Sequence, residues 1–171
     1  MEVVLTSHRY CERELLEQLK GLGDFHRTGF RNVIRGEVEN FETFLQELEK
    51  RSVFALSRVV LIEKSFTFSP TCVVEEFCEA VRPLLEKIRK GESFRVIVER
   101  RGLKGALSSQ EVAEEVGTFI SEVLEERDCE KPKVNLRDPD KAAVFETLGK
   151  WCGVGIISKE MRERYFYLKL P

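Results

Sequence analysis

The segment S-F-R-V-I-V-E-R-R-G, residues 93–102, alternates apolar and polar side chains and ends in a basic pair. A period of two is typical of a β-strand with one buried face, so we expect a strand over Phe94–Arg100. Arg100 and Arg101 lie at the carboxyl end of this strand, next to a loop that contains Lys104. A guanidinium group can donate two parallel hydrogen bonds to phosphate oxygens, and the lysine ammonium group adds a point charge. This loop is therefore a candidate nucleic-acid contact, and a solvated basic loop without a ligand is the competing interpretation.

A helix and a second strand follow the basic loop. Ser108 and Glu111 have the spacing of a capping box, in which two side chains satisfy backbone N–H groups at a helix start. Apolar residues then recur at helical spacing, which predicts a helix over 109–127. A short strand is expected over 133–136, ended by Asp-Pro-Asp at 138–140. The two carboxylates of that tripeptide are interpreted as turn residues rather than as a catalytic pair.

Together these segments resemble the THUMP domain, an RNA-binding module found in several tRNA-modifying systems. The resemblance is carried by the basic-ended strand, the helix start at Ser109 and Glu111, the helix glycine Gly117, and Pro139 with Asp140 after the next strand. It implies tRNA as the partner, recognised in its acceptor region. The residues expected to contact RNA are Arg89, Lys90, Arg95, Arg100, Arg101 and Lys104.

The first half of the chain predicts the element order βαββαβ. Strands are expected over 3–6, 24–28, 32–38 and 56–64, and helices over 9–20 and 41–51. This order is the split ferredoxin-like arrangement, and a small ferredoxin-like domain precedes THUMP in several of its families. The expected fold class is therefore mixed α/β (α+β), with a ferredoxin-like domain over 1–68 followed by a THUMP domain over 69–171.

The boundary between these domains is placed in the polar segment Ser65–Thr71, where Pro70 suits a helix start. Pro83 then interrupts an apolar stripe, because proline removes a backbone donor and disfavours helical backbone before it. Two short helices are expected, over 72–81 and 83–89, as the resemblance also implies. The remaining strands are expected over 142–148, 154–158 and 165–170.

Charge is unevenly distributed along the chain. The formal net charge is −2, which is unusual for a protein that binds a polyanion. Residues 82–104 carry eight Lys or Arg against three Glu, whereas residues 111–130 carry eight acids against one Arg. Two solvated faces of opposite sign would explain this pattern, but a polarised field can also steer RNA to one face. The acidic segment is expected to face a basic partner or solvent.

Composition and spacing argue against several other classes of protein. No segment has the length and purity of a membrane span or the form of a signal peptide, so no membrane partner and a cytoplasmic location are expected. The five cysteines form no C-x-x-C pair, and with two histidines they do not give the spacing of a metal site. His8 and Cys11 are an incidental pair without a third orienting group. Neither a metal nor a cofactor is expected.

The predicted function is that of a non-catalytic RNA-binding protein. The resemblance covers roughly residues 1–160 without an appended catalytic domain, so the chain is similar to stand-alone THUMP proteins, including the adaptor of tRNA cytidine N4-acetylation. There the acetyltransferase is a separate chain. Two alternatives stay open. One is a small tRNA-modifying enzyme that uses Gly153-x-Gly155 as a degenerate acetyl-CoA phosphate loop, and the other is a protein-interaction module that has lost RNA binding.

Overall fold

The computed structural model describes residues 1–163, which fall into two compact units. Within the described residues, the first unit comprises Met1–Ile62 and residues 160–163, and the second comprises Glu63–Lys159. The expected domain boundary after residue 68 stays a prediction. The strand expected over 165–170 lies outside the described residues.

The first unit has the element order βαββαβ. Its elements are β1 (Glu2–Ser7), α1 (Glu12–Gln18), β2 (Asp24–Arg27), β3 (Val33–Glu37), α2 (Phe41–Lys50) and β4 (Leu56–Ile62). The four strands form an antiparallel sheet in the order β2-β3-β1-β4. Strands β1 and β3 are the two central strands of this sheet. The strand order is that of the ferredoxin-like fold, so the prediction for the first half of the chain is confirmed.

Helix α2 covers one face of this sheet. The side chain of Asn40 accepts a hydrogen bond from the backbone N–H of Thr43 at 2.9 Å, which caps the helix start. The ring of Phe44 stacks on that of Phe25, with 5.7 Å between centroids. Phe25 crosses β3 at Gly36, where a Cβ atom would approach the ring within 2.2 Å. Glycine is therefore required at position 36 for this packing.

The second unit contains a mixed five-stranded sheet and two main helices. Its elements are β5 (Lys64–Thr67), α3 (Val73–Val81), β6 (Ser93–Glu99), α4 (Ser109–Asp128), β7 (Lys133–Val134), β8 (Lys141–Leu148) and β9 (Trp151–Ser158). The strand order is β5-β9-β8-β6-β7. Strand β6 runs parallel to β7 and β8, whereas β9 is antiparallel to β8 and β5. Short 3₁₀ turns cover Pro70–Cys72 and Arg82–Lys87. A three-residue helix, α5 (Lys159–Met161), begins at the last residue of this unit, and its other two residues belong to the first unit.

Two details at the start of this unit were not expected from the sequence. The polar segment Ser65–Thr71 contains most of β5, because the backbone pairs with β9 from Lys64 opposite Val154 to Thr67 opposite Trp151. The second of the two expected helices, over 83–89, is a 3₁₀ turn over Arg82–Lys87. Pro83 at its start lacks the backbone N–H that would continue α3 as a regular α-helix.

The core of the second unit lies between its sheet and the helices α3 and α4. Ser108 caps α4 by accepting a hydrogen bond from the backbone N–H of Glu111 at 3.3 Å, as the sequence predicts. The buried stripe of α4 comprises Val112, Val116, Ile120 and Leu124. From α3, the ring of Phe77 stacks on that of Phe145 in β8, with centroids 4.6 Å apart. The packed helices hold the ends of β6 and β8 in fixed positions.

The Asp-Pro-Asp segment is a structural connection between β6 and β8. Asp140 Oδ2 accepts hydrogen bonds from Ser93 N at 2.8 Å and from Ser93 Oγ at 3.0 Å. These bonds lower the pKa of Asp140, the backbone donor of Ser93 first. Asp138 Oδ2 accepts from Lys159 Nζ at 2.6 Å. Both carboxylates are thus engaged in local structure, which agrees with the turn interpretation.

The lowered pKa of Asp140 gives a pH-dependent prediction. The charged carboxylate stabilises the fold above the unfolded-state pKa of about 3.9, and this contribution is lost as pH falls through the lower folded-state pKa. The free energy of unfolding of the wild type should therefore exceed that of Asp140→Asn at pH 7, and the difference should shrink towards pH 3. Urea unfolding at several pH values measures it, and a difference independent of pH would contradict this assignment.

Candidate nucleic-acid interface

Five of the six basic residues predicted to contact RNA form two groups at opposite ends of β6. Arg89 and Lys90 precede the strand, whereas Arg100, Arg101 and Lys104 follow it. A strand rises about 3.3 Å per residue, so the two ends of this seven-residue strand are about 20 Å apart. The structure therefore does not bring the six predicted residues into one cluster.

Arg95 lies in the middle of β6, on the side of the strand opposite Phe94 and Val96, which face the helices. Its Nη1 donates a hydrogen bond to the backbone oxygen of Leu136 at 3.0 Å. The side chain is half-buried and supports the segment that follows β7. Its guanidinium group is therefore partly engaged within the protein.

At the amino end of β6, two lysines lie close to carboxylates. Lys90 Nζ lies 3.8 Å from Glu130 Oε2, and Lys141 Nζ lies 3.0 Å from Glu92 Oε1. Arg89 is exposed. Because Lys90 and Lys141 have acidic partners, this end of the strand offers a phosphate less unbalanced positive charge than a count of its basic residues indicates.

At the carboxyl end, the loop after β6 has a strained but hydrogen-bonded backbone. Arg100 Nη1 donates to the backbone oxygen of Gly102 at 2.8 Å, and Leu103 has a φ of +53°. Gly105 has a φ of +84°, and an added Cβ atom there would meet nothing within 4 Å. Glycine is thus favoured at 105 for its conformation rather than for space. Lys104 is exposed and makes no ion pair within residues 1–163.

The structure adds Lys150, which was not among the predicted site residues. The N–H of Gly149 donates to the backbone oxygen of Arg101 at 2.8 Å, so the β8–β9 turn lies against the basic loop. Lys150, the next residue, is exposed and has no ion-pair partner in the described part of the chain. We call Arg100, Lys104 and Lys150 the carboxyl-end cluster, because the parallel strands β6 and β8 both end there.

Two helix starts lie at the same end of the sheet. Helix α4 begins directly after the basic loop, and the N–H of Phe68, shortly before α3, donates to the backbone oxygen of Lys150 at 2.9 Å. Helix amino termini carry partial positive charge. Acidic residues in the first turns, among them Glu111 and Glu75, offset part of it. The cationic character of this edge therefore depends mainly on its three basic side chains.

Arg101 differs from its neighbours because it is held inside the protein. Its Nη1 donates to Glu146 Oε2, and the two side chains are 14% and 0% exposed. The interpretation of Arg101 as an exposed loop charge is therefore wrong. An internal ion pair at Arg100 and Arg101 is the feature expected of a module that has lost RNA binding. Arg101 shows it, whereas Arg100 donates to the uncharged backbone oxygen of Gly102.

The outer face of α4 carries the acidic charge. Its apolar stripe points into the core, and the opposite positions expose Glu111, Glu114, Glu115, Glu122, Glu125 and Glu126. A phosphate backbone would be repelled by this face. The charge segregation seen in the sequence thus corresponds to an acidic helix surface and a separate basic edge.

The other candidate sites do not form chemical centres in residues 1–163. Gly153 and Gly155 lie within β9, opposite Glu146 and Val144, rather than in a loop that opens a helix. Burial raises the pKa of Cys78 to about 11, which leaves that thiol protonated and weakly nucleophilic at neutral pH. The same residues contain no group of three His, Cys, Asp or Glu placed to hold a metal. No helix described is long and apolar enough to cross a membrane.

Comparison with known proteins supports the fold. Residues 73–157 match the family model of the THUMP domain. No curated protein matches the chain in sequence. The structure of PH1313 from Pyrococcus horikoshii Ot3 is similar, with 15% identity, a TM-score of 0.62 and coverage of 92% of this chain and 55% of that chain.

Two further solved structures share the architecture. TrmN from Thermus thermophilus has 19% identity and a TM-score of 0.64, with coverage of 91% of this chain and 44% of that one. A 4-thiouridine synthetase in complex with RNA and ATP has 17% identity and a TM-score of 0.56, with coverage of 91% and 40%. The chain spans about half the length of these proteins or less, and such identities show a shared fold alone. The family model, by contrast, shows that residues 73–157 form a THUMP domain, an RNA-binding module of tRNA-modifying systems.

Proposed function

We propose that this chain is a non-catalytic tRNA-binding protein that presents the acceptor region of tRNA to a separate modification enzyme, a cytidine N4-acetyltransferase. The observation that carries the proposal is the carboxyl-end cluster, which places three basic side chains at one edge of a THUMP domain. Two of them, Lys104 and Lys150, are exposed and lack ion-pair partners in residues 1–163. Phosphate oxygens would supply the missing negative charge.

Different basic residues would have different roles in this interaction. Arg100, Lys104 and Lys150 are the proposed phosphate contacts of the carboxyl-end cluster. We also propose contacts to RNA by Arg89, Lys90 and Arg95. These should contribute less to the affinity, because Lys90 and Arg95 already have partners in the protein. Arg101 is proposed to hold the loop in place through Glu146. Such contacts fix the position of a nucleic acid without reading its bases.

An adaptor can accelerate modification without any catalytic group. If it holds tRNA beside a second chain, the target base meets the active site at a high effective concentration. The similar solved structures include an enzyme that acts in thiouridine synthesis and was solved with RNA, which supports a role for this fold beside RNA chemistry. The chemistry itself is assigned to the partner chain.

Nucleoside mass spectrometry can test the adaptor role. Unmodified tRNA and acetyl-CoA should yield no acetylcytidine with this chain alone, whereas adding an acetyltransferase chain should allow or accelerate acetylation. The carboxyl-end variant Lys104→Ala/Lys150→Ala should fold normally and lose most of the acceleration. Acetylcytidine formed by this chain alone would instead identify it as an enzyme.

The interaction module without RNA binding is the second candidate, favoured by the Arg101–Glu146 pair. A gel shift with total tRNA, with and without its 3′ end, separates it from the adaptor. The adaptor should retard intact tRNA and bind the shortened tRNA less well. A chain that retards neither RNA at low salt would support the interaction module.

A further inference from the structure

One edge of the first unit exposes two large aromatic rings. Tyr10 is 80% exposed and Phe54 is 68% exposed, whereas Phe41 and Phe44 of the same unit are buried. Tyr10 follows the carboxyl end of β1, and Phe54 shortly precedes β4. Neither ring contacts another ring among the described residues. Aromatic side chains contribute much of their stabilisation by burial, so their exposure here has no evident structural benefit.

Backbone hydrogen bonds join three connecting segments at this edge, residues 8–11, 27–32 and 52–55. The N–H of His8 donates to the backbone oxygen of Ala55 at 2.9 Å, and the N–H of Ser7 donates to that of Asn32 at 2.8 Å. Tyr10 and Phe54 are therefore carried by adjacent backbone segments. We call Tyr10, Phe54 and the arginines of these segments the aromatic edge.

Each of the three segments contains a residue other than glycine in the left-handed region. The φ angles are +64° at Tyr10, +62° at Asn32 and +52° at Ser52. Such a conformation costs about 1 kcal/mol or more for a residue with a side chain. In Tyr10 the strain also holds a large ring in solvent. Strain of this kind is concentrated at binding and catalytic sites more often than elsewhere.

The arginines of the aromatic edge lack acidic partners. Arg9, Arg27 and Arg31 are exposed and make no ion pair within residues 1–163. The three segments contain no Asp or Glu, although Glu12 of α1 directly follows the first of them. The guanidinium carbon of Arg9 lies 5.0 Å from the centroid of the Tyr10 ring, which holds both groups on the same surface.

We propose that the aromatic edge binds unpaired nucleotides of RNA by stacking bases on Tyr10 and Phe54 while the arginines contact the intervening phosphates. Single-stranded nucleic acid is recognised by this combination of exposed π-faces and unpaired positive charge. A protein partner would also cover the rings, but three arginines without carboxylates favour a polyanion. The inference rests on the proposed tRNA-binding function and deepens it by assigning RNA contacts to residues of the first unit.

The test compares two probes that carry the same charge. Fluorescence anisotropy of the full chain is measured with a labelled eight-nucleotide oligoadenylate and with an abasic oligomer of the same length. Because stacking contributes about 1–3 kcal/mol per base, Tyr10→Ala or Phe54→Ala should weaken oligoadenylate binding about tenfold and leave abasic binding unchanged. The conservative variants Tyr10→Phe and Phe54→Tyr keep an aromatic ring at each position and should bind oligoadenylate as the wild type does.

The carboxyl-end variant Lys104→Ala/Lys150→Ala separates this inference from the proposed function. It should lose affinity for folded tRNA and keep the affinity for oligoadenylate, because its substitutions leave both rings in place. If that variant binds tRNA normally, the proposed function fails while the aromatic edge is still tested by the short probes.

Two results would overturn the inference. The first is equal affinity for the abasic and the base-containing oligomer, and the second is normal oligoadenylate binding by the alanine variants. Sedimentation analysis adds a third outcome: self-association that is lost in Tyr10→Ala without any oligoadenylate binding by the wild type would identify the edge as a protein interface. Unchanged melting temperatures are expected for all variants, since both rings are exposed.

Discussion

Replacing Arg101 with alanine should lower the free energy of unfolding of the second unit by about 3 kcal/mol, since breaking a buried ion pair leaves the remaining charge short of a partner. The partner is Glu146 in β8, whose side chain is 0% exposed. Urea unfolding followed by the fluorescence of Trp151, the sole tryptophan of the chain, reports on the unit that contains both residues. A shift of this size is well above the error of such measurements.

Lys104→Ala is the matched control for Arg101→Ala. Lys104 lies three residues further along the same loop but is exposed, so its substitution should change stability by less than about 0.5 kcal/mol. In a double-mutant cycle, Arg101→Ala and Glu146→Gln should be strongly non-additive, because each removes the same interaction. If Arg101→Ala instead leaves stability unchanged and weakens tRNA binding, Arg101 is an RNA contact and the internal pairing has little energetic weight.

The sequence predicted the elements whose pattern is local. The strand β6 and the helix α4 were expected over 94–100 and 109–127, and the structure has them at Ser93–Glu99 and Ser109–Asp128. Alternation, an apolar stripe and a capping serine are all read within a few residues of the chain. The ferredoxin-like order followed from six such elements in succession.

Elements defined by distant partners were missed or misplaced. Strand β5 has one apolar side chain, Phe66, in four residues, and it forms because its backbone pairs with β9 more than eighty residues later. Helix α1 begins at Glu12 rather than at Arg9, because Tyr10 adopts a positive φ that no helix residue can have. Neither feature has a signal in the local pattern.

The same limit applies to the candidate site. Arg100 and Arg101 are equivalent in a linear sequence, and only the register that sets Glu99 opposite Glu146 brings Arg101 to its acidic partner. Lys150 could have been found from the topology, because the carboxyl ends of parallel strands meet at one edge of a sheet. Identifying Lys150 in this way would require knowing that β8 pairs with β6. The alternation of apolar and polar residues within a strand does not show which strand lies next to it.

Affinity for tRNA should fall about a hundredfold when salt rises from 50 to 200 mM, if roughly four phosphates are contacted, because each contact releases counterions. The exposed lysines of the carboxyl-end cluster supply two of those contacts in the proposed arrangement. Lys104→Ala/Lys150→Ala should therefore reduce the slope of log affinity against log salt by about two. The loss should be similar for different tRNAs, since phosphate contacts carry no base information.

Lys90→Ala is the matched control for this measurement. It also removes one lysine from the same unit, but Lys90 is already paired with Glu130 at the opposite end of β6. Its substitution should change the salt slope less than Lys104→Ala alone does, because its charge is partly compensated before RNA arrives. Filter binding at four salt concentrations gives all the slopes. A wild-type affinity that stays flat, or a larger effect at Lys90 than at Lys104, would move the contact surface away from the carboxyl-end cluster.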